Sequence, residues 1–150
     1  MVSEQQEEEA AYLSNSYKID PKTMTAQGRS LQLLLLHRRC ATCWGTLIQE
    51  PAQGMNIDAA KHIERIARHC STAPDFIHSE LPVMEAVFRI LLSNGNKSMT
   101  LESIYETLRE RWLDSTTPRT PLPEKLYRLV SHDAFYGITQ VPQTTEKGKS

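Results

Sequence analysis

The chain has 150 residues and a formal net charge of −1, and 39% of its residues are hydrophobic and 23% are charged. These proportions are typical of a soluble globular protein and exclude a strongly basic protein that nucleic acid covers on all sides. The longest apolar run, Leu33–Leu36, is far shorter than the roughly 20 residues of a membrane span, so no membrane partner is expected.

Residues 1–23 are predicted to form a disordered or weakly ordered acidic N-terminus. Residues 1–9 contain four glutamates and two glutamines with almost no apolar side chain, a composition typical of disordered segments. Pro21 interrupts any short helix over residues 10–17. The segment lacks the positive start, apolar centre and cleavage site of a secretion signal. We therefore expect an intracellular, cytoplasmic protein.

Residues 24–73 are predicted to form a helical hairpin that carries the cysteines. The first helix extends from about Met24 or Arg29 to Ile48, a turn follows over residues 50–54, and the second helix extends from Asn56 or Asp58 to about Cys70. The first helix is predicted to bury a stripe of side chains spaced three and four apart: Leu33, Leu36, Cys40, Cys43 and Leu47. A homodimer formed through this leucine-rich hairpin is one expected arrangement.

Cys40 and Cys43 have the two-residue spacing of zinc, iron–sulfur and redox sites. If the hairpin turns near residues 51–53, Cys43 faces His62, so Cys40, Cys43 and His62 are candidate metal ligands. Cys70 would then lie about 8 Å along the helix axis from Cys40, and three cysteines would meet at one ion only if the helices break. The same spacing fits cysteines that fill the seam between two helices without any cofactor, and both interpretations stay open.

Basic residues are concentrated in the hairpin. Lys61, Arg65 and Arg68 occur at positions i, i+4 and i+7 of the second helix, and Arg38 and Arg39 add positive charge. Phosphate groups are attracted to such a face regardless of base sequence. The alternative is a solvated helix face with pairing inside the helix.

Residues 74–142 are predicted to form a second domain of three helices and a strand, followed by a disordered tail over residues 143–150. The first helix follows Pro82 and ends at Asn94-Gly95, the second begins after Thr100, and the third opens at Pro123. Residues 137–141 alternate apolar and polar side chains, as a strand does. Four residues of the third helix are predicted to face inward: Leu122, Leu126, Leu129 and Val130. The cationic candidates of this domain are Arg119, Lys125, Arg128 and His132.

The stretches MTLESIYETLRERW and LPEKLYRLVSHDAFYGITQV, with the helix before them and the long loop between them, resemble the winged helix-turn-helix superfamily. The loop and the aromatic residues after the third helix are similar to the LOTUS (OST-HTH) branch and, less closely, to the HARE-HTH type. The resemblance covers residues 81–141 and implies a three-helix core whose third helix or flanking loop contacts DNA or RNA, without catalysis. Only one strand follows the third helix, so the second strand of a wing has no counterpart.

The predicted fold class is mainly α, with an N-terminal helical hairpin and a C-terminal winged-helix-like three-helix module that includes a short β-strand. We expect a small nucleic-acid-binding protein that regulates transcription or acts on RNA. The first alternative is a non-catalytic adaptor that binds proteins in a larger assembly, and the second is a metal or redox sensor that uses Cys40 and Cys43. No enzyme is expected, because the sequence has no glycine-rich phosphate loop, nucleophile elbow or HExxH motif.

Overall fold

The structure is a computed structural model and describes residues 11–40, 43, 58–73, 76–113 and 120–142. The predicted acidic segment 1–9 and tail 143–150 lie outside these residues. The described chain is mainly helical and contains a small antiparallel sheet. No helix among the described residues is both long and apolar enough to cross a membrane.

The helices and strands follow one another in an order that alternates short and long elements. They are β1 (Ser16–Ile19), α1 (Pro21–Ala26), α2 (Leu31–Leu36), α3 (Ala59–Arg68), a 3-10 helix (Cys70–Thr72), α4 (Val83–Ser93), β2 (Met99–Thr100), α5 (Leu101–Arg111), α6 (Pro123–Ser131) and β3 (Ile138–Val141).

The helices predicted for the C-terminal region are confirmed, because local signals fix their ends. Thr100 caps α5 by accepting a hydrogen bond from the Ser103 backbone N–H at 3.1 Å, as an N-cap residue does. Pro123 occupies the first turn of α6, where its missing N–H costs nothing. After α4, Gly95 and Asn96 adopt positive φ angles of 72° and 59°, a conformation that ends helices.

β1 is the central strand of the sheet and lies between β2 and β3, antiparallel to both. Tyr17 and Ile19 are buried, whereas Lys18 between them is exposed. The Asn96 side chain extends the pairing, since it accepts a hydrogen bond from the Ile19 N–H at 2.8 Å and donates one to the Ile19 carbonyl at 2.9 Å. The prediction of a weakly ordered segment over residues 1–23 is therefore wrong from β1 onward.

The single long helix predicted from about residue 24 to residue 48 is also wrong. Two short helices, α1 and α2, are found instead, and Gly28 between them has a φ angle of +74°. Ser30 then caps α2 by accepting a hydrogen bond from the Leu33 N–H at 3.2 Å. The remainder of the predicted helix, apart from Cys43, lies outside the described residues beyond residue 40. Leu33, predicted to be buried on the long helix, is 44% exposed.

α4 is the centre of the hydrophobic core, because it packs against α3, α5 and β1. It buries six apolar side chains: Ala86, Val87, Phe88, Ile90, Leu91 and Leu92. The buried apolar side chains of the described residues form one cluster that includes Tyr17, Ile66, Leu126 and Ile138. The predicted division into separate domains over residues 24–73 and 74–142 is thus not observed. Leu122, predicted to face inward, is 74% exposed.

Glu85 is a buried carboxylate that joins distant parts of the chain. Arg38 donates two hydrogen bonds to it at 2.6 and 3.0 Å, Arg89 donates one at 2.8 Å, and the Tyr136 hydroxyl donates one at 3.0 Å. Burial raises the pKa of Glu85, but the hydrogen bonds and charges of Arg38 and Arg89 outweigh burial and hold this pKa below its usual range. Burial and the charge of Glu85 raise the pKa of Tyr136 to about 12.

Glu85→Gln is expected to destabilise the fold by about 3 kcal/mol at pH 7, because it leaves two partly buried guanidinium groups without a counter-charge. A depressed carboxyl pKa adds stability above the unfolded-state pKa, and this stability is lost as the pH falls through the folded-state value. The stability difference between wild type and variant should therefore shrink below about pH 4. Urea denaturation from pH 7 to pH 3 measures it.

The matched control is Glu124→Gln, whose ion pair with Arg128 is exposed and 3.7 Å long. Its effect should stay within about 0.5 kcal/mol. A difference between wild type and Glu85→Gln that is the same at pH 3 as at pH 7 would contradict the assigned charge of Glu85.

Candidate metal centre

Three cysteines and one histidine converge at one point of the structure. The side-chain ligand atoms of Cys40, Cys43, His69 and Cys70 all lie within 4.8 Å of one another. Two of the residues follow α2 and two follow α3. The set therefore joins two segments that are distant in the sequence.

Breaks at the ends of two helices bring these residues together. α2 ends at Leu36, so Cys40 lies beyond its last turn. α3 ends at Arg68, where His69 leaves the helical conformation with φ −125° and ψ −60° and Cys70 begins the 3-10 helix. Adjacent residues of a regular α-helix point about 100° apart. The break at His69 allows neighbouring side chains to reach the same point.

The distances match the size of a tetrahedral zinc site. The Cys40 and Cys43 sulfurs lie 3.4 and 3.6 Å from the Nδ1 atom of His69. Zinc binds sulfur at about 2.3 Å and nitrogen at about 2.0–2.1 Å, which places a sulfur and a nitrogen ligand about 3.5–3.6 Å apart at the tetrahedral angle. His69 would thus bind through Nδ1.

Local hydrogen bonds favour a thiolate at Cys40 and disfavour one at Cys70. Burial raises the pKa of Cys40, but hydrogen bonds from the Cys43 backbone and from the side chains of Cys70, Cys43 and His69 lower it to about 7. Burial raises the pKa of Cys70 to about 11, against the effect of hydrogen bonds from the Cys40 backbone and the Arg39 side chain. Backbone N–H groups thus point at two of the three sulfurs, as they do where thiolates are held.

Three sulfurs and one nitrogen form a ligand set that suits zinc. Four protein ligands fill a tetrahedral shell and leave no open position for water or substrate, which is the property of structural zinc sites. Iron–sulfur clusters mostly use four cysteines. The set therefore fits a closed zinc site better than a cluster.

The predicted ligands are found only in part. Cys40 and Cys43 belong to the set, but His62 does not. His62 is fully buried on α3, and its Nδ1 atom lies 2.8 Å from a guanidinium nitrogen of Arg39. His69 and Cys70 take the place predicted for His62, because the continuous helices that kept Cys70 away from Cys40 in the prediction are interrupted.

The cationic residues predicted for nucleic-acid binding separate into exposed and engaged side chains. Lys61, Arg65 and Arg68 of α3 are exposed, and so are Lys125, Arg128 and His132 at α6. Long contacts to acidic residues weaken two of these charges only slightly, since Arg68 lies 3.8 Å from Glu64 and Arg128 lies 3.7 Å from Glu124. α3 packs against α2 and α4, whereas α6 packs against α5 and β3.

The other three predicted cations do not add to the exposed face. The Arg38 side chain is only 13% exposed and forms the ion pair with Glu85. Arg39 is half-buried, with its guanidinium bonded to His62. The prediction that Arg38 and Arg39 extend the basic face is therefore wrong, because interior partners hold both side chains. Arg119 lies outside the described residues.

Comparisons with protein-family models, with curated proteins and with solved structures found no match for this chain.

In the metal-free protein, iodoacetamide at pH 7.5 should modify Cys40 at least about ten times faster than Cys70, because only thiolates react and Cys70 is mostly protonated at this pH. Short labelling pulses followed by peptide mass spectrometry measure the two rates. Raising the pH to 9.5 should narrow the difference. Equal rates at pH 7.5 would contradict the assigned difference between the two thiols.

Proposed function

We propose that Cys40, Cys43, His69 and Cys70 bind a structural zinc ion that fixes the end of α3 to the segment after α2. The observation that carries the proposal is the convergence of all four ligand atoms within 4.8 Å. The sulfur–nitrogen distances support zinc, because they equal the edge of its tetrahedral shell.

A zinc ion here would act as a cross-link. It would close the chain between Cys43 and His69 and hold the 3-10 helix against the core, where Cys70 is fully buried. Zinc that binds the folded chain and not the unfolded chain adds its binding free energy to folding stability. The ion would therefore stabilise the arrangement of α2 and α3 around α4.

We expect the purified protein to contain one zinc ion per chain, and the Co²⁺-substituted protein to show the visible absorption of a tetrahedral thiolate site. His69→Asn and Cys70→Ser should weaken zinc binding at least about tenfold, because each removes a ligand. Elemental analysis and competition with a chromophoric chelator measure occupancy and affinity.

His132→Asn is the matched control, because His132 also follows the end of a helix and is exposed. It should leave zinc affinity unchanged. A wild-type protein that neither contains zinc nor forms a coloured Co²⁺ complex would sink the zinc proposal.

We propose, as a second function, that the exposed cations of α3 bind the phosphate backbone of DNA or RNA. Three observations support it: Lys61, Arg65 and Arg68 are exposed, they lie at helical spacing on one element, and the metal centre immediately follows Arg68. A helix anchored at its end presents its charges in a fixed arrangement, which reduces the entropy lost on binding. Lys125, Arg128 and His132 would form a second contact surface on α6.

We propose a winged-helix-like arrangement for the C-terminal region. The order α4, β2, α5, α6 and β3 supports it, as does a third strand, β1, that pairs with both β2 and β3. β1 would supply the strand that a wing hairpin supplies in the superfamily that the sequence resembles. Such a module is expected to bind nucleic acid without catalysis, consistent with a regulatory role.

The triple variant Lys61→Glu, Arg65→Glu, Arg68→Glu is expected to abolish salt-sensitive binding to mixed-sequence DNA or RNA. Where residual binding is measurable, the slope of log affinity against log salt should fall by about one for each phosphate group that the variant no longer binds. Fluorescence anisotropy at two or more salt concentrations measures this.

The charge-matched control is Lys18→Glu, Lys22→Glu, Lys97→Glu, which changes three exposed lysines on other elements and should bind almost as wild type. Equal losses of affinity in both triple variants would show only an effect of net charge. Wild-type protein that binds neither DNA nor RNA at low salt would favour a protein partner instead.

A further inference from the structure

The Arg39 side chain lies between the metal ligands and the buried His62. Arg39 precedes Cys40 in the sequence and lines the same cavity of about 600 Å³ as Cys40, His69 and Cys70. One guanidinium nitrogen lies 2.8 Å from the His62 Nδ1 atom, and the side chain also hydrogen-bonds to Cys70. The guanidinium therefore contacts both a ligand sulfur and a residue on α3.

A zinc ion with three thiolates and a neutral imidazole has a net charge of about −1. Two of the sulfurs, those of Cys43 and Cys70, belong to buried residues, and a buried charge is costly unless a counter-charge or hydrogen bonds compensate it. A centre of this kind requires a cation nearby. Arginine suits the task, because its charge is permanent and its five N–H groups donate in fixed directions.

Arg39 differs in its partner from the other two arginines that line the cavity. Arg38 and Arg89 each form an ion pair with Glu85, at 2.6 and 2.8 Å. The hydrogen bond of Arg39 to His62 is to an imidazole, which leaves the arginine charge uncompensated by that contact. In addition, the Arg39 Nε atom is buried and has no hydrogen-bond partner in the described part of the chain, so a further N–H is available to a sulfur.

His62 holds Arg39 in place from the other half of the site. It lies on α3 seven positions before His69, which is about two helical turns and the same face. An imidazole nitrogen that accepts from arginine is unprotonated, so His62 is neutral with its proton on Nε2. The Arg39–His62 contact thus joins the segment after α2 to α3 and sets the separation between the two halves of the ligand set.

We propose that Arg39 and His62 form the outer shell of the metal centre, in which Arg39 neutralises and positions the Cys70 thiolate and His62 positions Arg39. This inference rests on the proposed zinc site. Outer-shell partners orient ligands and tune metal affinity, and their loss typically weakens binding about 10- to 100-fold. Arg39 and His62 are positioning residues, since neither is a ligand.

The test compares zinc affinity in Arg39→Gln, Arg39→Lys and His62→Gln by chelator competition. We expect Arg39→Gln to weaken zinc binding about 10- to 100-fold, while its Co²⁺ complex keeps the tetrahedral three-thiolate spectrum because all four ligands remain. Arg39→Lys should recover part of the loss, since it restores the charge but not the guanidinium geometry. Arg65→Gln, an exposed arginine of α3, should bind zinc as wild type.

The outcomes separate this inference from the zinc proposal. A wild-type protein that binds no metal overturns the zinc proposal itself. If wild type binds zinc and Arg39→Gln binds it equally tightly, or Arg39→Lys binds no better than Arg39→Gln, the outer-shell role of Arg39 is overturned. Urea denaturation of the metal-free variants identifies a folding defect, and lower stability with unchanged affinity in the folded variant also counts against the inference.

Discussion

The ion pairs of Glu85 are the interaction on which the arrangement around the core depends. A carboxylate on α4 receives hydrogen bonds from Arg38, Arg89 and Tyr136, which belong to three separate parts of the chain. Because Arg38 immediately precedes Arg39 and Cys40, the pair also fixes where the first half of the metal site begins. The cost of burying the carboxylate is offset by two guanidinium groups, and the remaining positive charge lies beside the ligand sulfurs.

The candidate metal centre depends on places where regular structure ends. Helices α2 and α3 each stop just before a pair of ligands, and the break at His69 directs two neighbouring side chains to one point. A site built this way is sensitive to the direction in which each helix leads the chain. Contacts that tie the two segments together, such as Arg39 with His62, are therefore as important to the geometry as the ligands.

The sequence predicts the C-terminal helices well, because Pro82, Thr100, Gly95 and Pro123 act within a few residues of the ends that they determine. It predicts Cys40 and Cys43 as ligands for the same reason, since their spacing is local. It does not predict His69 and Cys70, because their approach depends on how two helices end and pack. The adjacent histidine and cysteine at a helix end, followed by Ser-Thr-Ala-Pro, are the signal that the sequence offers.

Pairing over long sequence distances also explains why β1 is not predicted, although residues 16–19 alternate polar and apolar side chains. As the middle strand, it pairs with Thr100 on one side and Val141 on the other. During synthesis from the amino end, this strand must wait, with both hydrogen-bonding edges unsatisfied, until almost all of the described chain has left the ribosome. Such late, non-local pairing is slow and leaves a strand open to wrong partners meanwhile. The newly made polypeptide thus has its period of greatest vulnerability to aggregation before residue 141 emerges.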